Sequence, residues 1–458
     1  MNERNWSLGN ESIARLLLKL SAPATVGMVV MGLYNVADTI FVGRALGEES
    51  VQGIAGISIC FPIMMLVMAV SLAIGIGGAS IISRRLGAED HRSAERAFGN
   101  VVSMGLMLST VVTVLGSIYI EPVLRLFGAT ATILPYAIDY LGIILLGTIF
   151  LIFAQSTNNV VRAEGNAKVA MMTMLVSAGL NIVLDPIFIF GLDMGIRGAA
   201  IATVIAQVVG ALFLVRYFMS GDSTLSLHPS DMVPDIAIVK EILAIGAAPF
   251  SRNASGSAVV VILNNILAVH GGDVSIAVYG IFNRLFMFTL MPMVGLVQGM
   301  QPIIGFNYGA HNLERVKETL RISAGVSTVI SIGGFILLFF FPSQLFSFFT
   351  TDRELIESGA AATRIMALAM PLIGFQFVGG SMYQALGKAR PSLILSLARQ
   401  IFLLPLVLVL PGSFDLVGIW MAFPLSDTLA FVLTVYMFMR EYRRFQQPAT
   451  QKDVDEFA

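Results

Sequence analysis

Uncharged apolar runs long enough to cross a bilayer recur along this chain, and they constrain its fold more than any other feature. Residues 50–83, 97–120, 140–161, 198–215, 322–351 and 365–387 contain no Asp, Glu, Lys or Arg, and a spanning helix needs only about 20 apolar residues. Charged residues make up 12% of the 458, half the roughly 25% of a soluble domain. An ordinary water-soluble fold is therefore excluded. With a formal net charge of -1, the chain lacks the basic footprint of a nucleic-acid binder. Its 43 Gly and 17 Pro suit membrane helices, whose neighbours re-satisfy a broken backbone. Cys60 is the single cysteine, which rules out an internal disulfide and a Cys-based metal site.

When isolated charges are tolerated inside the runs, the pattern predicts twelve helices. They lie at about 14–42, 54–82, 96–120, 133–159, 168–190, 196–219, 238–270, 275–306, 316–341, 356–385, 391–411 and 416–440. Of the 28 Lys and Arg, 20 fall on one set of alternate loops. The opposite set holds four, Arg44, Arg125, Arg197 and Arg353, and the spans another four, Arg252, Arg284, Arg364 and Arg399. Positive residues stay on the cytoplasmic side during insertion, so both termini are expected there. The charged, amphipathic stretch 10–20 leads into an apolar segment too long for a cleaved signal peptide, which reads as a retained first helix.

The two halves repeat at an offset of 222–224 residues. Gly47 and Gly56 match Gly271 and Gly280; Leu86-Gly87-Ala88 matches Tyr308-Gly309-Ala310. Residues 163–168 match 385–390, and Gly195-Ile196 matches Gly418-Ile419. Six helices per half is an even number, so the repeats enter from the same side and are parallel. The expected fold is all-α and integral to the membrane, with twelve transmembrane helices in two pseudo-symmetric six-helix lobes. The expected divisions are an N-terminal lobe at 1–219, a cytoplasmic linker at 220–236, a C-terminal lobe at 237–440 and a cytoplasmic tail at 441–458. Two such bundles on one linker suggest a machine that rocks about a central cleft.

Leu33-Tyr34-Asn35-Val36-Ala37-Asp38-Thr39-Ile40-Phe41-Val42-Gly43, Arg162-Ala163-Glu164-Gly165-Asn166 and Asn181-Ile182-Val183-Leu184-Asp185-Pro186 carry a resemblance. Gln301-Pro302-Ile303-Ile304-Gly305-Phe306-Asn307-Tyr308-Gly309 extends it into the second half. Over essentially its whole length the chain resembles the multidrug and toxic compound extrusion (MATE) family, in particular its bacterial and archaeal multidrug branch. The resemblance implies cation-coupled antiport of amphipathic, often cationic organic compounds across a prokaryotic cytoplasmic (inner) membrane. It also places a coupling site, for H⁺ or for a bound Na⁺, on Asp38, Asn181, Asp185 and Thr203, with Tyr34 and Tyr140 in support.

Independently of that resemblance, a charge inside a span costs about 2.5–3.5 kcal/mol and so points to function. The first half carries Asp38, Asp139 and Asp185 in its spans, where no Lys or Arg away from the loop-side ends offers a counter-ion. A carboxylate in that setting takes up a proton or a metal cation. At 1.5 Å per residue, Asp38, Asn181, Asp185 and Thr203 fall about 7 to 15 Å in from the outer helix ends. Asn181 and Asp185, four apart, share a helix face, and Pro186 removes a backbone donor beside them. The second half inverts the pattern, with Arg252, Arg284, Arg364 and Arg399 against the single central acid Asp427. Asp427 reads as an ion-pair partner of Arg399 or Arg284, structural or in contact with substrate. The repeat mates of Asp38 and Asp185 are Ile262 and Leu408, so the coupling site is not duplicated.

The four His lie near loops without metal-ligand spacing, and no Walker-type loop occurs. No intramembrane Ser/His or His/Glu constellation suggests an enzyme. The expectation is a secondary multidrug efflux antiporter without a cofactor, driven by H⁺ or Na⁺. Small organic molecules and membrane lipid are its partners, nucleic acid is not, and the chain is expected as a monomer. The alternative is a lipid-linked precursor flippase of the same broad superfamily, to which the second-half arginines lend weight.

Overall fold

The computed structural model describes the backbone of residues 3–45 and 50–446, and the side chains of residues 4–34, 41 and 56–446. The described elements are helices: α1 (Glu3–Asn10), α2 (Ile13–Ala45), α3 (Ser50–Gly87), α4 (His91–Ile118), α5 (Ile120–Leu126), α6 (Leu134–Ala163), α7 (Ala167–Pro186) and α8 (Gly195–Met219) in the first half. The second half has α9 (Ile236–Gly309), α10 (Leu313–Phe340), α11 (Pro342–Ser347), α12 (Arg353–Met366), α13 (Met370–Ala385), α14 (Ala389–Val409) and α15 (Pro411–Arg444). Ten helices among the described residues are long and apolar enough to cross a membrane. α12 and α13, bent by 52°, form one further broken span. The 74 residues of α9 would reach about 110 Å as one rod, far beyond a bilayer. Gly272, at φ 60° and ψ -160°, breaks α9 into two spans, and the count becomes twelve. The outward faces carry exposed Val111, Leu115, Val329, Ile401 and Leu408, which is tenable only against lipid.

Chain breaks recur at one offset in the two halves. Glu89 and His311, 222 residues apart, both turn through positive φ (59° and 56°). Each precedes a cap: Asp90 accepts from the Ser93 N–H at the start of α4, and Asn312 from the Arg315 N–H at the start of α10. Gly165 and Gly387 share φ near 80°, and Asp193 and Asp415 share φ near 50°. A side-chain oxygen at a cap position satisfies a helix-end donor, so these short polar signals set where each helix starts. The helix expected at 356–385 is instead two, because Pro371 at the start of α13 has no N–H to continue the ladder.

The chain divides into two compact units, residues 1–6 with 26–250 and residues 7–25 with 251–458. Within the first, Cys60, Tyr140, Leu141, Ile144 and Ile196 pack α3, α6 and α8 together. Segment 220–235 is bound to this unit: buried Asp231 pairs with Arg92 at 2.7 Å, and the Asp235 N–H donates to Asn100 Oδ1 at 2.8 Å. Glu164 accepts from the Tyr217 hydroxyl (2.6 Å), Ser223 Oγ, and the Thr224 N–H and hydroxyl. Burial pushes the Glu164 carboxyl above the usual glutamate range, with those four donors opposing it. The second unit has an aromatic core in which Tyr279, Phe282, Phe286, Phe346, Trp420 and Phe423 pack α9, α11 and α15.

Candidate functional site

The end of α7 is irregular for a reason readable in its residues. Pro186 follows Asp185, and the next five residues, Ile187–Gly191, widen into a π-helical turn. Such wide turns recur at functional sites because they release backbone groups and re-aim side chains. One turn earlier on α7, Asn181 faces the same way as Asp185. Its Nδ2 donates to Asp185 Oδ1 at 3.2 Å and to Thr203 Oγ1 of α8 at 3.3 Å. Asn181, Asp185 and Thr203 are all buried, with relative exposures of 2%, 0% and 7%. Asn181 Oδ1 finds no hydrogen-bond partner among the described residues. A buried acceptor left in that state costs about 1–3 kcal/mol, and that oxygen is open to a proton donor or a cation. Its carboxylate, amide and hydroxyl oxygens are hard ligands suited to a proton or a small cation.

The structure therefore brings Asn181, Asp185 and Thr203 together. Asp38 lies outside the residues whose side chains are described. Tyr34 is half-buried on α2, and Tyr140 is buried within the α3–α6–α8 core. Asp139 departs from expectation: Arg197, at the start of α8, donates to it at 2.7 Å. Arg197 sits at the very start of the span expected at 196–219, 58 residues along the chain, and no local pattern pairs it with Asp139. This pair is partly exposed, and Asp139 is accounted for by it.

In the second unit, Asp427 pairs with Arg399 at 2.7 Å, and its backbone carbonyl accepts from Gln376 Nε2 at 2.9 Å. Arg284 is exposed. The Arg399 guanidinium also lies 5.3 Å from the Phe286 ring centre, and Arg252 lies 5.9 Å from that of Phe377. Sequence reasoning missed Phe286, Phe377 and Gln376. In a chain with 31 Phe, nothing local marks the one that sits under a guanidinium.

The sequence profile of the MatE family matches residues 23–187 and 256–409, which is both halves of the repeat. The chain belongs to the MatE family. Among its relatives is the multidrug export protein MepA of Staphylococcus aureus (strain MSSA476), 28% identical over 442 residues that cover 95% of this chain and 96% of that protein. Among solved structures, the MATE multidrug transporter DinF-BH, determined as a ligand complex, is 48% identical, with a TM-score of 0.88 over 96% of this chain and 98% of that one. A MOP superfamily transporter from Pyrococcus furiosus, whose binding pocket is described as having reverse polarity, is 28% identical with a TM-score of 0.90, covering 96% and 98%. MATE membership accounts for the twelve spans and the internal repeat together. This MATE protein is a multi-pass membrane transporter and not an enzyme.

Proposed function

We propose that this MATE protein exports amphipathic, often cationic organic compounds in exchange for H⁺ or Na⁺, with the ion taken up at Asn181, Asp185 and Thr203 and completed by Asp38. The observation that carries the reading is the buried cluster on α7 and α8 with its unsatisfied Asn181 Oδ1. A proton on Asp185 would let the carboxyl donate to Asn181 Oδ1 once the amide turns over; a Na⁺ ion would take that oxygen as a ligand directly. Either event changes how tightly α7 and α8 are joined and draws α2 towards them through Asp38. An ion drives a transport cycle only if it binds one state better than another, and a cluster whose hydrogen bonds change on occupation does that. The orientation follows the positive residues, with both termini in the cytoplasm. MepA and DinF-BH, multidrug proteins by name, support the substrate class.

The lipid-linked precursor flippase remains the second reading, favoured by Arg252 and Arg284, which have no carboxylate partner among the described residues. Against it stands Arg399, already neutralised by Asp427. Export of a fluorescent organic cation from vesicles, under separately imposed pH and Na⁺ gradients, tests the coupling. Asp185→Asn should retain the fold and lose most of its gradient-driven export. Unchanged export by that variant would overturn the assignment, and the effective gradient identifies the ion.

A further inference from the structure

The second unit contains a cavity of 390 Å³ whose lining shares no residue with the acidic cluster or with the Arg399–Asp427 pair. Leu320 and Arg321 of α10, Phe375 of α13, and Phe438, Tyr442 and Arg443 of α15 line it. Much of its wall is aromatic. Phe375 meets Phe438 edge-on at 5.0 Å between ring centres, and Phe438 stacks on Tyr442 at 5.9 Å. Both arginines are exposed, and neither has an ion-pair partner among the described residues. Carboxylates are present nearby and are used elsewhere: Glu441, on the same stretch of α15, holds Lys388 at 2.7 Å and Arg444 at 3.7 Å. Two guanidiniums are thus left facing one apolar cavity.

That combination selects its ligand. Two like charges repel the organic cations proposed as cargo, and the aromatic wall gives a bare inorganic ion nothing to bury. An amphipathic anion satisfies both, since a guanidinium fork matches phosphate oxygens. The level in the membrane narrows the choice. Arg443 is the penultimate residue of α15, a 34-residue helix long enough to leave the bilayer, on the side where Lys and Arg concentrate. Basic pockets between membrane helices on that side hold anionic lipid head groups. A volume of 390 Å³ accommodates a glycerophosphate head and the first carbons of its chains, while the remaining acyl length stays in the bilayer. We infer that this cavity is a binding site for an anionic glycerophospholipid of the cytoplasmic leaflet, with its phosphate between Arg321 and Arg443.

The test uses the full-length protein purified in neutral detergent, exposed to phosphatidylglycerol or phosphatidylcholine, with lipid retained after gel filtration counted per protein. The intact protein should retain phosphatidylglycerol preferentially. Arg321→Gln combined with Arg443→Gln should reduce that retention roughly tenfold to thirtyfold without changing the elution profile or circular dichroism, whereas Arg440→Gln, on the same helix outside the cavity, should leave it intact. Equal retention by the double variant, or equal loss with Arg440→Gln, would overturn the site. Displacement of the lipid by millimolar inorganic phosphate would show that a free anion suffices, and the lipid assignment would fall. Retention seen only in a chain ending at Gln446 would give the cavity to the acidic residues Asp453, Asp455 and Glu456 of the chain's own end, which equally refutes it.

Discussion

Arg399 and Asp427 lie at different depths, and that difference decides which of them the fold can lose. The Asp427 side chain is 3% exposed and that of Arg399 is 32% exposed. Removing one partner of a buried pair leaves the other charge without compensation, which typically costs about 3–5 kcal/mol. Arg399→Met strands the deeper carboxylate, so we expect a loss of about 3 kcal/mol, softened by protonation. Asp427→Leu leaves an arginine that can turn to its exposed third, so its loss should be clearly smaller. The double variant should recover most of the stability, because a well-packed apolar pair replaces a desolvated ionic one. Thermal unfolding of the purified variants in detergent checks this, and equal single-variant losses would contradict it. The pairing itself was legible, since Asp427 is the one central acid among four arginines. The choice of Arg399 over Arg284 was not, because it depends on how α14 and α15 pack.

Helix starts show the same division. Asp90 and Asn312 cap α4 and α10 in equivalent ways, so Asp90→Ala and Asn312→Ala should each cost about 1 kcal/mol. Their pH responses should differ. Burial raises the Asp90 carboxyl, but the Ser93 hydroxyl and N–H together with Arg85 outweigh it, and the group titrates below its ordinary 3.8. A depressed native pKa means that the carboxylate's contribution is present above the unfolded value and fades as pH falls through the native one. Asn312 has no such titration. Thermal midpoints compared between neutral and strongly acidic buffer should therefore show the penalty of Asp90→Ala shrinking in acid while that of Asn312→Ala stays constant. The paired capping loops were visible as the Leu86-Gly87 and Tyr308-Gly309 repeat. The bend between α12 and α13 was not, since the apolar run crosses Pro371 without interruption. Nor was the π-helical turn after Pro186, where the sequence indicated only a missing backbone donor.

Each compact unit takes in the opening stretch of the other half's first span, residues 236–250 in one and 7–25 in the other. Glycines make the fit possible. A Cβ on Gly77 of α3 would overlap the Ile242 carbonyl within the first unit, and one on Gly299 would overlap Ser21 within the second. Gly77 and Gly299 are 222 residues apart, so the repeat carries this pair of close helix contacts with it. Gly77→Val and Gly299→Val should each force the backbones apart and cost about 1–3 kcal/mol by overpacking, read as lowered thermal midpoints of similar size. A large loss for one and none for the other would show that the two contacts are not equivalent. By itself the sequence determined the membrane setting, twelve spans and the duplication. Those features depend on hydropathy, charge and spacing, which are local sums along the chain. Only tertiary structure decided that Phe286 lies under the Arg399 guanidinium, that Arg197 accounts for Asp139, and that Arg321 and Arg443 share a cavity. Each of these joins helices distant in sequence, and their facing sides are set by close packing that no local pattern records.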